Sequence, residues 1–347
     1  MNLIIWREFY LRKELTLDKS IMSNKRNNQP LKIVFFGAPH FSGEILKFLI
    51  GNNFSPQLVI THPDQPVGRK KILTPTESKK IALENNIPIK EFSSLGVEEI
   101  KYFQTYSPDL IITASYGLII PLEIINSAKL GALNIHPSLL PKLRGATPIQ
   151  TALRQGLEKT GSTIMLMDAG MDTGDIISQE QLLIDRQDTY PVLEQKLIDL
   201  STKLLLPVLE DIKKTGKKPT GKKQDNSQAT FTKLIEKQDG LIDWHQSARE
   251  IYNQWRAFYD WPKIYTFYKQ QKLTLTEIEI PPQNDIMSNE NASNPGDVFR
   301  NKNKDILVQT GNGQIKINKL QLAGKQELNI LDFVNGQPQF IGTNLSK

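Results

Sequence analysis

The sequence predicts an α/β domain followed by a small, mostly β domain. Up to residue 212, apolar strands alternate with short amphipathic helices, a pattern typical of βαβ units around a mostly parallel, Rossmann-like sheet. Residues 213–232 are polar and basic and predict a linker. Residues 233–347 contain short strands separated by Asn and Gly turns, which indicate a small β-barrel of the OB-like type.

The composition limits the kinds of site that the chain can build. Its 347 residues are enough for about two domains. The absence of cysteine excludes disulfides, iron–sulfur clusters, zinc–cysteine sites and thiol nucleophiles. With four histidines, a multi-histidine metal centre is not expected, and no apolar run reaches the length of a membrane span. The net charge of +6 fits either a nucleic-acid partner or an ordinary soluble protein.

The first elements alternate between strand and helix. Residues 1–30 mix apolar and charged positions and are expected to form a poorly ordered extension. The run LKIVFFG (31–37) predicts the first strand, and QLVITH (57–62) predicts the second. Residues 62–75, HPDQPVGRKKILTP, are rich in Pro and Gly and predict a loop.

The first half of the chain continues with buried strands. DLIITASYGLIIP (109–121) and GALNI (131–135) are apolar runs that predict buried strands. Pro148 marks a helix start. TGDIISQEQLLI (173–184) is compatible with a hairpin, and residues 190–212 predict a long amphipathic helix that closes the domain.

The second half changes in pattern. Residues 213–223, KKTGKKPTGKK, contain six lysines and no acid. HQSAREIYNQWRAF (245–258) predicts a helix. The segments predicted as short strands are 264–280, 296–300, 305–311, 313–324 and 337–342.

Polar side chains appear where the strand at 131–135 should end. Asn134 and His136 are two residues apart, so both point to one side if the strand persists. Ligands of open α/β sheets bind at the carboxyl ends of the strands. In DAGMDTGD (168–175), Asp172 is the best carboxylate partner for His136, with Asp168 and Asp175 as rivals. The alternative is structural: a packed strand-end histidine, and aspartates that only form turns.

These residues resemble a known family. NIHPSLLPKLRGATPIQ (134–150) and DAGMDTGDI (168–176) resemble the signature of formyltransferases that use 10-formyltetrahydrofolate. KIVFFGAPHFSGEIL (32–46) is similar to the first strand and helix of that family. Residues 62–89 are similar to its basic inserted loop, and residues 239–262 to the C-terminal domain of its tRNA-dependent members. The resemblance covers residues 31–345.

The resemblance implies roles for particular residues. The catalytic trio falls on Asn134, His136 and Asp172, with the 38-residue spacing of the family from Asn to Asp. The segment implied to contact the folate consists of Ser138, Leu139, Leu140 and Pro141. The residues expected to contact tRNA are Arg69, Lys70 and Lys71 in the inserted loop and Lys217, Lys218, Lys222 and Lys223 in the lysine run. A solvated linker is the alternative for the lysine run.

Two segments depart from the family pattern. The inserted loop contains GRKKI (68–72), without the extra glycine that commonly follows the arginine, so its conformation is not transferred from the family. ATFTKLI (229–235) replaces a form with Ala-Pro-Lys after the aromatic residue, so the path of the linker is not transferred either.

The implied activity is transfer of the formyl group from 10-formyltetrahydrofolate to the α-amino group of methionine on initiator tRNA. The folate acts as a co-substrate, no metal is expected, and the enzyme is expected to be a cytoplasmic monomer with no membrane partner. An amino-sugar nucleotide N-formyltransferase is the main alternative. A non-catalytic folate- or tRNA-binding homologue and a folate-hydrolysing enzyme are further ones.

Overall fold

The computed structural model describes residues 30–68, 71–282 and 294–346, which divide into two compact units. The first unit comprises Met1–His136, Ser162–Glu180 and Ile198–Ser227. The second unit comprises Pro137–Gly161, Gln181–Leu197 and Gln228–Lys347. Apart from Pro30, the predicted N-terminal extension lies outside the described residues.

The first of the two large sheets has seven strands. Its strands are β1 (Ile33–Gly37), β2 (Leu58–Thr61), β5 (Ile89–Glu91), β6 (Leu110–Ala114), β7 (Ala132–His136), β8 (Lys159–Leu166) and β9 (Ile176–Leu183). They lie in the order β5-β2-β1-β6-β7-β8-β9. The pairs from β5 to β7 are parallel, and β8 runs antiparallel to β7. The carboxyl ends of five strands therefore meet at one edge.

Helices and one short strand pair connect these strands. The helices are α1 (His40–Gly51), α2 (Glu77–Glu84), α3 (Val97–Tyr106), α4 (Leu122–Ile125), α5 (Pro148–Arg154) and α6 (Tyr190–Thr215). Strands β3 (Gln65–Val67) and β4 (Ile72–Thr74) pair antiparallel with each other. The long helix predicted over 190–212 is thus present and continues to Thr215.

The central strands are apolar along their whole length because both of their faces are covered. All residues of β1, β6 and β7 are buried, as expected for a parallel sheet with helices on both sides. Phe36 of β1 packs against Phe103 of α3 and Tyr116 after β6, with ring centroids 5.4 and 5.2 Å apart. This rigid centre fixes the strand ends at which polar residues emerge.

The second sheet has six strands, all of whose recorded pairs are antiparallel. They are β10 (Ile264–Tyr268), β11 (Gln271–Glu279), β12 (Val298–Arg300), β13 (Ile306–Gln309), β14 (Gln314–Leu322) and β15 (Glu327–Asn329). Helix α7 (Ala248–Ala257) precedes this sheet, and α8 (Ile330–Gly336) follows it. The predicted fold class, an α/β domain followed by a small β domain, is confirmed.

Three local predictions are wrong. The expected loop at 62–75 contains the β3–β4 pair. The expected hairpin at 173–184 is the single strand β9, which lies at the edge of the sheet and alternates in exposure. The strand expected at 337–342 is instead a short 3-10 helix, Pro338–Phe340, with the proline in its first turn, a position that suits the fixed φ angle of proline.

Candidate active site

Asn134 and His136 lie on one face of β7, at its carboxyl end. They are alternate residues of the strand, and alternate side chains point to the same face. Asn134 is 9% exposed and His136 is 4% exposed. The parallel neighbour β6 pairs with Asn134, and the antiparallel neighbour β8 pairs with both Asn134 and His136. The two polar groups are therefore fixed by the sheet and not by a flexible loop.

The carboxylate of Asp172 meets both side chains. Asn134 Nδ2 donates a hydrogen bond to Asp172 Oδ1 over 3.2 Å. His136 Nδ1 lies 3.6 Å from the same oxygen, a distance of ionic contact and beyond ordinary hydrogen-bond length. The side chains of His136 and Asp172 are 5% and 13% exposed. The structure therefore brings together the amide, the imidazole and the carboxylate that the sequence suggests.

The loop between β8 and β9 presents Asp172 through an unusual backbone. Asp172 has φ +53°, in the left-handed region, which aspartate tolerates better than most residues. Gly174 follows, and a Cβ at that position would lie 1.6 Å from the carbonyl oxygen of Leu166. Only glycine fits there, because the loop passes directly over the end of β8.

The other two aspartates of this loop, Asp168 and Asp175, form hydrogen bonds within the loop and with β8. Asp168 Oδ1 accepts hydrogen bonds from Gly170 N (3.0 Å) and Thr173 Oγ1 (2.6 Å), so it forms the turn. Asp175 accepts a hydrogen bond from Leu166 N through its backbone oxygen. Of the three carboxylates, Asp172 is the one recorded beside His136. The catalytic role of the trio remains a prediction.

Gln224 also belongs to the surroundings of this loop. Its Nε2 donates hydrogen bonds to the backbone oxygens of Asp172 (2.9 Å) and Gly174 (2.7 Å). Nothing in the sequence points to Gln224, because it lies 52 positions after Asp172 in a polar stretch that predicts only a linker. No local pattern could have identified it.

A second histidine at this edge, His62, is held in place by ring stacking and by contacts with backbone oxygens. His62 follows β2, and its ring stacks on Tyr116 with centroids 4.9 Å apart. Its two ring nitrogens contact the backbone oxygens of Phe92 and Tyr116. Burial raises the pKa of Tyr116 to about 12, so this phenol stays protonated at neutral pH and cannot act as a base there.

The segment predicted to contact the folate follows His136 in the chain and belongs to the second unit. Ser138 is fully buried, and its Oγ donates a hydrogen bond to the carbonyl oxygen of Lys142 over 2.6 Å. Leu140 is buried, whereas Leu139 and Pro141 are half-buried. Folate contact by this segment remains a prediction.

The structure describes five of the seven residues that are predicted to contact tRNA. Arg69 and Lys70 lie outside the described residues. Lys71 is exposed and has φ +49°. Lys217, Lys218, Lys222 and Lys223 are exposed, and within the described part of the chain no carboxylate is recorded as pairing with any of them. These amines are thus available to a polyanion, and tRNA contact remains a prediction.

In the ranges 30–68, 71–282 and 294–346, no group of three His, Asp or Glu residues could hold a metal ion. Within the same ranges, every helix is too short or too polar to cross a membrane.

Most of the chain matches known protein families. Residues 31–209 match the family described as "Formyl transferase", and residues 234–338 match "Formyl transferase, C-terminal domain". A protein of Caldicellulosiruptor saccharolyticus named methionyl-tRNA formyltransferase is 42% identical over 309 residues, which is 88% of this chain and 97% of that protein.

Solved structures share the fold at lower identity. The sugar 3N-formyl transferase WlaRD is 22% identical with a TM-score of 0.59 and is covered completely, by 86% of this chain. HypX from Aquifex aeolicus, solved with tetrahydrofolic acid, is 15% identical with a TM-score of 0.59. The match covers 90% of this chain, which spans about half the length of HypX (48%). Because both halves match its two domains, the chain belongs to the formyl transferase family.

Proposed function

We propose that this formyl transferase moves the formyl group of 10-formyltetrahydrofolate to the α-amino group of methionine esterified to initiator tRNA. The observation that carries the proposal is the contact of Asp172 with both Asn134 and His136 at a sheet edge. Supporting it, the similar protein of Caldicellulosiruptor saccharolyticus, matched nearly end to end, is named methionyl-tRNA formyltransferase.

The reaction begins with attack by a neutral amine. An α-amino group has a pKa of about 8, so near neutral pH a useful fraction is already deprotonated and the enzyme needs no strong base. The amine nitrogen bonds to the formyl carbon, and the electrons of the carbonyl double bond move to its oxygen. The bond from this carbon to the folate nitrogen then breaks, that nitrogen takes a proton, and the amine loses one.

Stabilising the oxyanion of the tetrahedral intermediate is the larger demand. A preorganised donor at an oxyanion is commonly worth about 3–4 kcal/mol. The Asn134 amide donates one hydrogen to Asp172 and, in this mechanism, donates the other to the oxyanion. His136 Nδ1 faces Asp172, and in this mechanism its Nε2 donates a hydrogen bond to the same oxyanion. Asp172 orients both donors and accepts the amine proton through water.

The remaining partners follow from charge and location. The lysines of the segment Lys217–Lys223 and Lys71 in the inserted loop would neutralise tRNA phosphates. The second sheet would hold the tRNA body by shape and backbone contact. Ser138, Leu139, Leu140 and Pro141 would contact the folate. All three candidate catalytic residues come from one chain, so a monomer suffices, and we expect the reaction to take place in the cytoplasm, where initiator tRNA is used in translation.

One incubation series tests the proposal. The purified protein receives 10-formyltetrahydrofolate together with charged initiator Met-tRNA, elongator Met-tRNA, or an amino-sugar nucleotide. Formylated methionine on the initiator tRNA is the expected product. Transfer to the sugar alone would replace the proposal by the sugar N-formyltransferase reading, and release of formate without transfer would indicate folate hydrolysis.

A further inference from the structure

The segment that follows helix α6 runs against the loop that carries Asp172. Lys222 and Ile176 exchange both backbone hydrogen bonds, each 2.8 Å long. Two residues later, Gln224 donates to the backbone oxygens of Asp172 and Gly174. This part of the predicted linker is therefore attached to the candidate site at two successive points, and both lie in the first unit.

Gly221 makes this close approach possible. A Cβ at Gly221 would lie 2.8 Å from the Cβ of Asp175 and 2.9 Å from the carbonyl oxygen of Ile176. Real Cβ atoms do not approach backbone so closely, so any other residue would push the segment away from the loop. Glycine here serves close backbone contact, since its φ is not in the left-handed region.

The chemistry of the contact requires an amide donor. Both partners of Gln224 are carbonyl oxygens, which only accept hydrogen bonds. The amide nitrogen of Gln224 has two hydrogens and satisfies both. One oxygen belongs to Asp172, which has φ +53°, and the other belongs to Gly174 two residues later. A left-handed non-glycine residue is strained and persists when its surroundings hold it, and Gln224 provides such a hold.

We infer that Gln224 is a positioning residue for the candidate catalytic carboxylate. Its amide holds the backbone at Asp172 and at Gly174 and so keeps Asp172 Oδ1 in contact with Asn134 and His136. Gln224 does not touch the reacting atoms in this role and acts through Asp172. The inference rests on the proposed function, because it assumes that Asp172 takes part in formyl transfer.

The variant Gln224→Leu removes both hydrogen bonds while keeping similar bulk. We expect kcat for formylation of charged initiator tRNA to fall about tenfold to a hundredfold, because a displacement near 1 Å can cost that much. The KM values for both substrates should stay within about twofold, since binding groups are untouched. Gln224→Met, with a longer unbranched side chain, replaces this variant if it fails to fold.

Gln57 offers a matched control in the same unit. Its Oε1 accepts from Ile33 N over 2.6 Å, and its Nε2 donates to the backbone oxygen of Ser55 over 2.9 Å. It directly precedes β2 and contacts the start of β1, so it lies at the amino ends of these strands, opposite to the carboxyl end of β7 that carries His136. Gln57→Leu should lower the unfolding midpoint and leave kcat unchanged.

A double variant decides whether Gln224 acts through Asp172. In an Asp172→Ala background, measured by single turnover with excess enzyme, Gln224→Leu should add no further loss, because residues that act as a unit are not additive. An equal loss in both backgrounds, or a kcat unchanged by Gln224→Leu in an active wild type, would overturn the inference. A wild type that transfers nothing to charged tRNA would overturn the proposed function instead.

Discussion

Asp172 accepts a hydrogen bond from Asn134 and faces the ring of His136 through the same oxygen atom. A single carboxylate therefore orients an amide donor and an imidazole at once. Both partners are more than nine-tenths buried, and electrostatic contacts are stronger where water is excluded. At the scale of single residues, the arrangement of this candidate site depends on the placement of one carboxylate.

Asn134→Ala removes a proposed oxyanion donor. We expect kcat to fall about a hundredfold to a thousandfold, with smaller changes in KM, because the lost interaction strengthens only in the transition state. Steady-state formylation of charged initiator tRNA provides the measurement. Asn85→Ala is the matched control, since the recorded hydrogen bond of the Asn85 amide goes to the backbone of α2 over 2.8 Å. Equal kcat values for both variants would refute the assignment.

Gly174→Ala tests the backbone that presents Asp172. Its new Cβ would lie 1.6 Å from the carbonyl oxygen of Leu166, so the loop must move. We expect a lower unfolding midpoint together with a large loss of kcat. Gly51→Ala is the control, because a Cβ there meets nothing within 4 Å and the residue ends helix α1, where alanine is favoured by about 0.5–1 kcal/mol. Full activity of Gly174→Ala would show that this loop tolerates displacement.

At the scale of secondary-structure elements, helix α7 begins with a capping box. Glu250 N donates to Ser247 Oγ over 3.2 Å, and Glu250 Oε2 accepts from Ser247 N over 2.8 Å and from Ser247 Oγ over 2.6 Å. The sequence SARE carries this signature, since Glu three residues after a Ser N-cap satisfies the free amides of the first turn. The start of α7 is therefore encoded locally.

The capping box makes the stability of the second unit depend on pH. Hydrogen bonds from the Ser247 side chain and backbone lower the pKa of Glu250. A lowered folded pKa means that the stabilisation is present above the unfolded pKa and is lost as the pH falls through the folded value. We expect Glu250→Gln to lose less than about 1 kcal/mol at pH 7, and the difference from wild type should vanish in acid.

Urea unfolding followed by tryptophan fluorescence measures this effect. Three of the four tryptophans, Trp244, Trp255 and Trp261, lie in the second unit, so in a Trp6→Phe background the signal reports on that unit. Glu279→Gln, at a side chain of the same unit that is 56% exposed in a surface ion pair with Lys316, is the control and should change little. A Glu250→Gln difference that stayed constant from pH 7 into acid would contradict the capping role.

At the scale of the whole molecule, the positive charge is unevenly distributed. The chain carries a net charge of +6, and the segment from Lys217 to Lys223 contributes four exposed lysines for which no carboxylate partner is recorded within the described residues. Lys213 and Lys214 lie in the last turn of α6, where cations favour the helix dipole. The lysine run thus divides into a helix end and a part that remains available to phosphates.

Changing Lys217, Lys218, Lys222 and Lys223 to Gln should weaken tRNA binding and reduce its salt dependence. Each lost phosphate contact lowers the slope of log affinity against log salt by roughly 0.7–0.9. Binding titrations across a range of salt concentrations measure this slope. The same change at the ion-paired lysines Lys47, Lys80, Lys101 and Lys203 is the control.

Both quadruple variants lower the net charge by four, from +6 to +2. A slope that fell equally in both would show that net charge alone attracts the tRNA. A slope that fell in neither would remove the lysine run from the tRNA interface. A fall confined to the first variant is the result that the proposal expects.

Much of the fold could be predicted from the sequence because its signals are local. Apolar runs predicted the buried strands β1, β6 and β7, and apolar periodicity predicted helix α6. The predictions failed where neighbours decide the outcome. Residues 173–184 became one edge strand because β8 was available to pair with them, and residues 337–342 became helical around Pro338. The predicted domain boundaries remain predictions.

The sequence by itself determined the fold class, the family and the three residue types at the candidate site, because apolar periodicity and short motifs are properties of neighbouring residues. Only the tertiary structure decided which aspartate meets His136, since that depends on the register of β7 with β8 and on a left-handed turn. It also decided the place of Gln224, because hydrogen bonds between residues 52 positions apart leave no local pattern.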